Sequence, residues 1–219
     1  MPLHDGFGLL LNYRARVVRM PEFRFSAPAD RNKQAILEHL RSLFADTQRV
    51  LEIGSGTGQH AVFFATQLPA LVWQPTELPA GLGDLAARCA AEAPSNCNYP
   101  KSLDVRDADW NLGDCDAVFT ANTLHIMSWT AVESLYAGLS QVLRPGGYFC
   151  VYGPFRYAGE YTAPSNAAFD QSLRARDPAS GIRDFEAVDG LARQQGLLLV
   201  ADHAMPANNQ LLVWQRERG

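Results

Sequence analysis

The sequence predicts an α/β fold in which a mostly parallel seven-stranded sheet with an antiparallel edge strand carries helices on both faces. Three observations carry this expectation. Short apolar runs alternate with segments of helical period from residue 49 to residue 152. A glycine-rich turn, residues 54–58, stands between the first of those runs and the helical segment that follows. The last two apolar runs, Leu197–Ala201 and Leu211–Trp214, flank the short segment Met205-Pro206-Ala207-Asn208-Asn209, which leaves no room for a helical crossover and suits an antiparallel pair at the sheet edge.

In chain order, residues 1–25 show no period and carry Arg14, Arg16, Arg19 and Arg24 among apolar residues, as an N-terminal extension or a lid would. One domain is expected over residues 26–219. Pro28 suits a first helical turn, and Ile36, Leu37, Leu40, Leu43 and Phe44 continue that helix as one apolar stripe. Arg49–Ile53 reads as a buried strand, Ala61–Leu68 as a helix and Leu71–Thr76 as a second strand. A helix runs from Pro79 through Ala93, followed by strands at Tyr99–Leu103 and Asp116–Ala121. Thr130 and Glu133 have the spacing of a capping box for a helix ending near Leu143, before a strand at Tyr148–Tyr152. Ser165–Arg176 and Phe185–Gln195 read as helices, the second closed by Gly196.

Composition narrows the function classes. With 47% hydrophobic and 19% charged residues the chain has the material for a packed core, which excludes disorder as its main description. The net charge of −4 argues against a duplex-binding surface, so no nucleic-acid partner is expected. Cys89, Cys97, Cys115 and Cys150 include no Cys-x-x-Cys pair, so they read as plain thiols in a reducing compartment, with no metal. No apolar run approaches the ~20 residues of a membrane helix, and Leu9-Leu10-Leu11 is too short for a signal-peptide core, so a cytoplasmic protein is expected.

The most informative segment is Glu52-Ile53-Gly54-Ser55-Gly56-Thr57-Gly58-Gln59-His60. Glycines there let the backbone turn sharply and approach a ligand beyond the carboxyl end of a strand. A dinucleotide fingerprint places its third glycine five residues after the first. Here Gly58 follows Gly54 by four, which disfavours a nicotinamide-dependent oxidoreductase. The Glu-x-Gly-x-Gly-x-Gly pattern resembles the motif of class I S-adenosylmethionine-dependent methyltransferases. Longer matches, among them Arg31-Asn32-Lys33, Ala121-Asn122-Thr123-Leu124-His125-Ile126, Tyr152-Gly153-Pro154-Phe155, Gly181-Ile182-Arg183-Asp184 and Met205-Pro206-Ala207-Asn208-Asn209, resemble the domain-of-unknown-function family 938, relatives of methyltransferase-like 26. The resemblance spans roughly residues 26–217 and departs from the family's frequent alanine at Gly54 and aspartate at Glu77.

What the resemblance implies is a Rossmann-like class I fold that binds S-adenosylmethionine through Glu52, Gly54, Ser55, Gly56 and Gly58. It further implies that Glu77 accepts the ribose hydroxyls, that Asp104 and the Val105 N–H meet adenine, and that Asn122 borders the methionine part. Asn32, with Arg31, is read either as closing over the cofactor or as part of a solvated helix face. His125, on the loop after the fourth strand, is read either as the base or acceptor-orienting group or as a histidine that shapes the loop. His60 is read as structural or cofactor-flanking. Tyr152, Asn166, Arg183, Asn208 and Asn209 fall on loops expected above the carboxyl edge, where an arginine and amides would suit a small polar acceptor; capping and turn chemistry is their other reading. No Asn/Asp-Pro-Pro-aromatic run follows the fourth strand, which disfavours base methylation. The expected activity is in-line methyl transfer to oxygen, nitrogen or sulfur of a small molecule. A protein that binds the cofactor without turnover or acts on a macromolecule is the alternative, and the N-terminal arm leaves room for a homodimer.

Overall fold

The structure, a computed structural model, describes residues 23–218. Its elements in order are α1 (Ala27–Leu43), β1 (Arg49–Glu52), α2 (Gln59–Gln67), β2 (Val72–Glu77), α3 (Pro79–Glu92), β3 (Lys101–Ser102), β4 (Cys115–Ala121), α4 (Trp129–Gly138), β5 (Leu143–Gly153), β6 (Phe155–Tyr157), β7 (Glu160–Tyr161), α5 (Pro164–Arg176), β8 (Arg183–Asp184), α6 (Phe185–Gln194), β9 (Leu197–Met205) and β10 (Asn209–Arg216). Seven strands form one sheet in the order β3-β2-β1-β4-β5-β10-β9. β1 pairs parallel with both β2 and β4, whereas β10 pairs antiparallel with both β5 and β9. The reversed strand therefore lies one place in from the β9 edge. This is the Rossmann-like class I methyltransferase arrangement that the sequence predicts.

Residue parity explains the two faces. Val50, Trp73, Phe119, Cys150 and Val213 point to the α1–α2 side and join Ile36, Leu37, Leu40 and Phe64 there. Leu51, Val118, Phe149, Val151, Leu212 and Trp214 point to the α4–α6 side and join Val132, Leu135, Tyr136 and Val188. Alternate side chains of one strand thus feed two separate cores, which is why the central strands read as almost continuous apolar runs. Two buried indoles find partners: Trp214 Nε1 donates to Asp189 Oδ1 at 3.0 Å, and Trp73 Nε1 donates to Glu52 Oε2 at 3.0 Å.

Several expected boundaries shift. α4 is capped by Ser128, whose hydroxyl accepts the Ala131 N–H at 3.2 Å, and not by Thr130. That helix stops at Gly138, because a 3₁₀ turn at Leu139–Gln141 leads straight into β5. Leu143-Arg144-Pro145-Gly146-Gly147 is an outward kink of β5: Cys115 pairs with Leu143 and Ala117 already pairs with Tyr148. β3 keeps only two of its expected five residues. A small second sheet, β7-β6-β8, continues from β5 and was not foreseen. Of the expected extension over residues 1–25, residues 1–22 lie outside the described residues.

Candidate active site

Strand order reverses between β1 and β4, since β2 and β3 lie to one side and β5 to the other. Open α/β sheets place ligands beyond the carboxyl ends of the strands at such a point. A cleft of about 650 Å³ opens there, walled by residues of the β1–α2 loop, the ends of β2, β3 and β4, and the first residues of α1, α3 and α4.

The β1–α2 loop builds its floor. Gly54, Gly56 and Gly58 have φ of +70°, +54° and +78°. Thr120 Oγ1 donates to Ile53 O at 2.8 Å, and the Ser55 N–H donates to Thr76 O at 2.9 Å, so both neighbouring strands pin the loop. A Cβ on Gly54 would stand 3.0 Å from Thr123 Cγ2, and one on Gly58 would stand 2.8 Å from Leu85 Cδ1. A Cβ on Gly56 would meet nothing within 4 Å, because that residue faces the open cleft.

Glu77 ends β2 with its carboxylate against this floor. Its Oε2 accepts the Gly56 N–H at 2.6 Å and its Oε1 accepts the Leu78 N–H at 2.9 Å. Each oxygen keeps a further lone pair for a ligand hydroxyl. Asp104, past β3, accepts Arg106 Nε at 2.9 Å, Arg106 Nη2 at 2.5 Å and the Arg106 N–H at 3.0 Å. The Arg106 guanidinium holds the Asp104 carboxyl below its ordinary pKa. Val105 is buried beside it, and Asn122 turns the chain after β4 at φ +57°. Gly54, Ser55, Gly56, Glu77, Asp104, Val105 and Asn122 all line the cleft.

Other expected site residues do not. Glu52 lies under the loop, 2% exposed, and burial pushes its carboxyl up to about 7 against the opposing Trp73 hydrogen bond. Gly58 packs on α3 instead of facing the cleft. Asn32 stands behind the wall, where His60 Nε2 donates to Asn32 Oδ1 at 2.7 Å. His60 itself is on the wall, its ring stacked on Phe64, and burial pushes its pKa down to about 4. His125 is 6% exposed and packs edge-on against Phe169; burial, with Arg183 nearby, pushes its pKa down to about 4. Its carbonyl accepts the Gly181 N–H at 2.9 Å. His125 is therefore a buried residue of the β4–α4 loop that does not stand on the cleft wall.

The expected arginine–amide grouping is not assembled at the cleft. Arg183 spends its guanidinium on main-chain carbonyls: Nε on Leu124 at 3.1 Å, and Nη2 on Met127 and on Ala179, the latter at 3.0 Å. Asn166 Nδ2 donates to Thr162 Oγ1 and to Asn208 O, both at 2.9 Å. Asn208 Nδ2 donates to Ser165 Oγ at 3.2 Å, and Asn209 Nδ2 to Pro206 O at 3.1 Å. The Asn209 bond lies within its own turn, whereas Asn208 ties the β9–β10 turn to Asn166 and Ser165 at the start of α5. Tyr152 is buried beside Asn32 and Asn209, and burial raises its hydroxyl pKa. The wall instead takes in Arg24, Ser26 and Ala29 from the N-terminal side, Gln59, Asp84, and Ile126 and Met127 from the β4–α4 loop. Gln59 stood where a third fingerprint glycine was looked for; nothing local marked the others.

Comparison with known proteins now bears on this geometry. The family described as "Protein of unknown function (DUF938)" matches residues 23–216. The chain belongs to the DUF938 family. The uncharacterized methyltransferase sll0829 of Synechocystis sp. is 32% identical to this DUF938 protein over 122 residues, 56% of this chain and 53% of that relative. An O-methyltransferase family protein from Burkholderia thailandensis superposes with a TM-score of 0.74 at 18% identity, over 85% of this chain and 57% of that one. Human N-acetylserotonin methyltransferase, solved in complex with S-adenosylmethionine, superposes with a TM-score of 0.68 at 14% identity, over 84% and 55%. The DUF938 chain spans little more than half the length of each. At these identities the solved structures establish the shared fold. Among the described residues no helix is long and apolar enough to cross a membrane.

Proposed function

We propose that this DUF938 protein is an S-adenosylmethionine-dependent methyltransferase acting on a small molecule by in-line transfer to oxygen, nitrogen or sulfur. The observation that carries the reading is the pairing of Gly56 with Glu77. The one glycine of the loop whose missing Cβ faces empty space lies in hydrogen-bond contact with the carboxylate that ends β2. A nucleoside laid on Gly56 meets that carboxylate at its sugar, and Leu78, Asp104 and Val105 flank the same cleft where the base would extend.

S-adenosylmethionine supplies the methyl group on a positively charged sulfonium. The chain's part is to bind and orient. Glu77 grips the ribose hydroxyls, Asp104 accepts from the base amino group, and Gly54, Ser55 and Asn122 border the methionine end. His60 adds a neutral ring to that end of the wall. His125 acts by shaping the β4–α4 loop to which it belongs, with its ring packed on Phe169, as the shaping reading of this residue has it. With Arg183, Asn166 and Asn209 bonded to main-chain carbonyls and Asn208 to the Ser165 hydroxyl, the acceptor is held by the cleft wall and not by a guanidinium clamp.

The test is incubation with methyl-labelled S-adenosylmethionine and fractionated cell metabolites. A labelled small product that depends on Glu77 is the expected result. Tight cofactor binding with no labelled product from any fraction contradicts turnover. Label in macromolecules alone contradicts the small-molecule acceptor.

A further inference from the structure

Residues 23–26 cross the rim of the cleft as a strap leading into α1, and two side chains hold them by the backbone. Gln59, the first residue of α2 and the neighbour of Gly58, clasps Ser26 on both sides: the Ser26 N–H donates to Gln59 Oε1, and Gln59 Nε2 donates to Ser26 O at 3.3 Å. Thr57 Oγ1 donates to the same Oε1 at 3.1 Å, which orients the amide from within the glycine loop. Arg88 of α3 is the second latch. Its Nη2 donates to Arg24 O at 2.9 Å, its guanidinium carbon lies 5.0 Å from the centroid of the Phe23 ring, and its Nη1 is fixed by Glu92 Oε2 at 2.8 Å.

The strap is part of the cleft, since Arg24 and Ser26 stand on its wall, whereas Arg88 does not touch it. The visible ion pair, Arg24 with Asp84 at 3.5 Å, joins two side chains that are 81% and 62% exposed, so it contributes little. What fixes the strap is therefore the position of Gln59 and Arg88. Those positions are set by the glycine loop and by α3, the helix that follows Glu77.

We propose that Gln59 is a positioning residue that couples nucleotide binding on the glycine loop to closure of strap 23–26, with Arg88 as its second latch. The coupling half of this inference rests on the S-adenosylmethionine reading; the latch half does not. A ligand that orders Thr57 and Gly56 orders the Gln59 amide and so the strap. By reciprocity, a strap that is released weakens the hold on the ligand.

Limited trypsinolysis at the Arg24–Phe25 bond tests the latch, in the full chain and without ligand. Gln59→Leu keeps the side-chain volume and removes both hydrogen bonds, Gln59→Glu keeps the acceptor alone, and Arg88→Met frees the strap without touching the cleft. Circular dichroism serves as the folding control for all three. Cleavage about tenfold faster in Gln59→Leu and in Arg88→Met than in wild type, with Gln59→Glu between, is expected. Equal rates in folded variants and wild type overturn the latch. The second arm follows S-adenosylhomocysteine release by stopped flow. Protection of the bond by ligand in wild type, and release about tenfold faster from Arg88→Met, are expected. Unchanged release from a protein whose strap is cut faster overturns the coupling. Absence of any S-adenosylhomocysteine binding to wild type overturns the cofactor reading and the coupling with it, while the trypsin arm still decides the latch.

Discussion

Gly56 and Gly58 share a left-handed backbone but differ in what surrounds them, and the difference sets two predictions. At Gly58 a Cβ meets Leu85 and the φ of +78° disfavours any L side chain, so Gly58→Ala should lose about 2 kcal/mol or more of stability in urea unfolding. At Gly56 the Cβ space is open, so Gly56→Val should stay folded, at a strain of about 1–2 kcal/mol, and lose S-adenosylhomocysteine binding in calorimetry. Retained affinity would remove Gly56 from the ligand's footprint. Glu52 makes a pH prediction. Its carboxyl titrates near 7 in the fold against 4.5 ordinarily, so burial favours the protonated form. The stability this confers is full below about pH 4.5 and is lost as pH rises to about 7. His60 and His125 act in the opposite direction: each is held neutral with a pKa near 4 against 6.5, so their share of stability is full above about pH 6.5 and is lost as pH falls to about 4. Glu52→Gln should therefore remove the falling limb between pH 4.5 and 7 and expose the histidine limb alone. An unchanged unfolding profile would contradict the burial of that charge.

At the scale of elements, the β4–α4 loop depends on a residue from the small second sheet. Arg183 begins β8 and ties three carbonyls, two from this loop and one from the segment after α5. Arg183→Met keeps apolar bulk and orphans buried acceptors, at a cost of about 1–3 kcal/mol for each that stays dry. The expected outcome is a lower urea midpoint together with weaker S-adenosylhomocysteine binding, because Ile126 and Met127 of the same loop stand on the cleft wall. Full affinity in a destabilised variant would separate the loop from the site. This dependence was not legible in the sequence. β6 and β8 have three and two residues, too few for a period of two to show, and Phe155 pairs with Arg183 across 28 positions. The long elements were legible because their stripes and runs extend over many residues; of the stripe on α1, Ile36, Leu37, Leu40 and Phe44 are buried and Leu43 is half-buried. The cap of α4 was misplaced because Ser128 and Thr130 both offer a hydroxyl, and only the backbone geometry at Ser128 chooses between them.

For the whole molecule, topology makes the site and side-chain chemistry specialises it. The glycine-loop side of the cleft was legible because it is written in local order: a strand, a tight turn, and an acid at the next strand's end. The acceptor half was not. Its expected polar residues come from loops distant in sequence, and whether an asparagine faces a ligand or its own turn is settled by packing. Asn209 bonds within its own turn, whereas Asn166 and Asn208 join the start of α5 to the β9–β10 turn. The measurement that bears most directly on the central claim is parallel calorimetric titration of the wild-type chain with S-adenosylhomocysteine and with NAD, repeated on Glu77→Ala. The account predicts one saturable site for S-adenosylhomocysteine, no heat from NAD, and affinity weakened by about tenfold or more without Glu77, as expected for lost hydrogen bonds to a charged acceptor. Saturable binding of NAD, or binding of S-adenosylhomocysteine indifferent to Glu77, would contradict it.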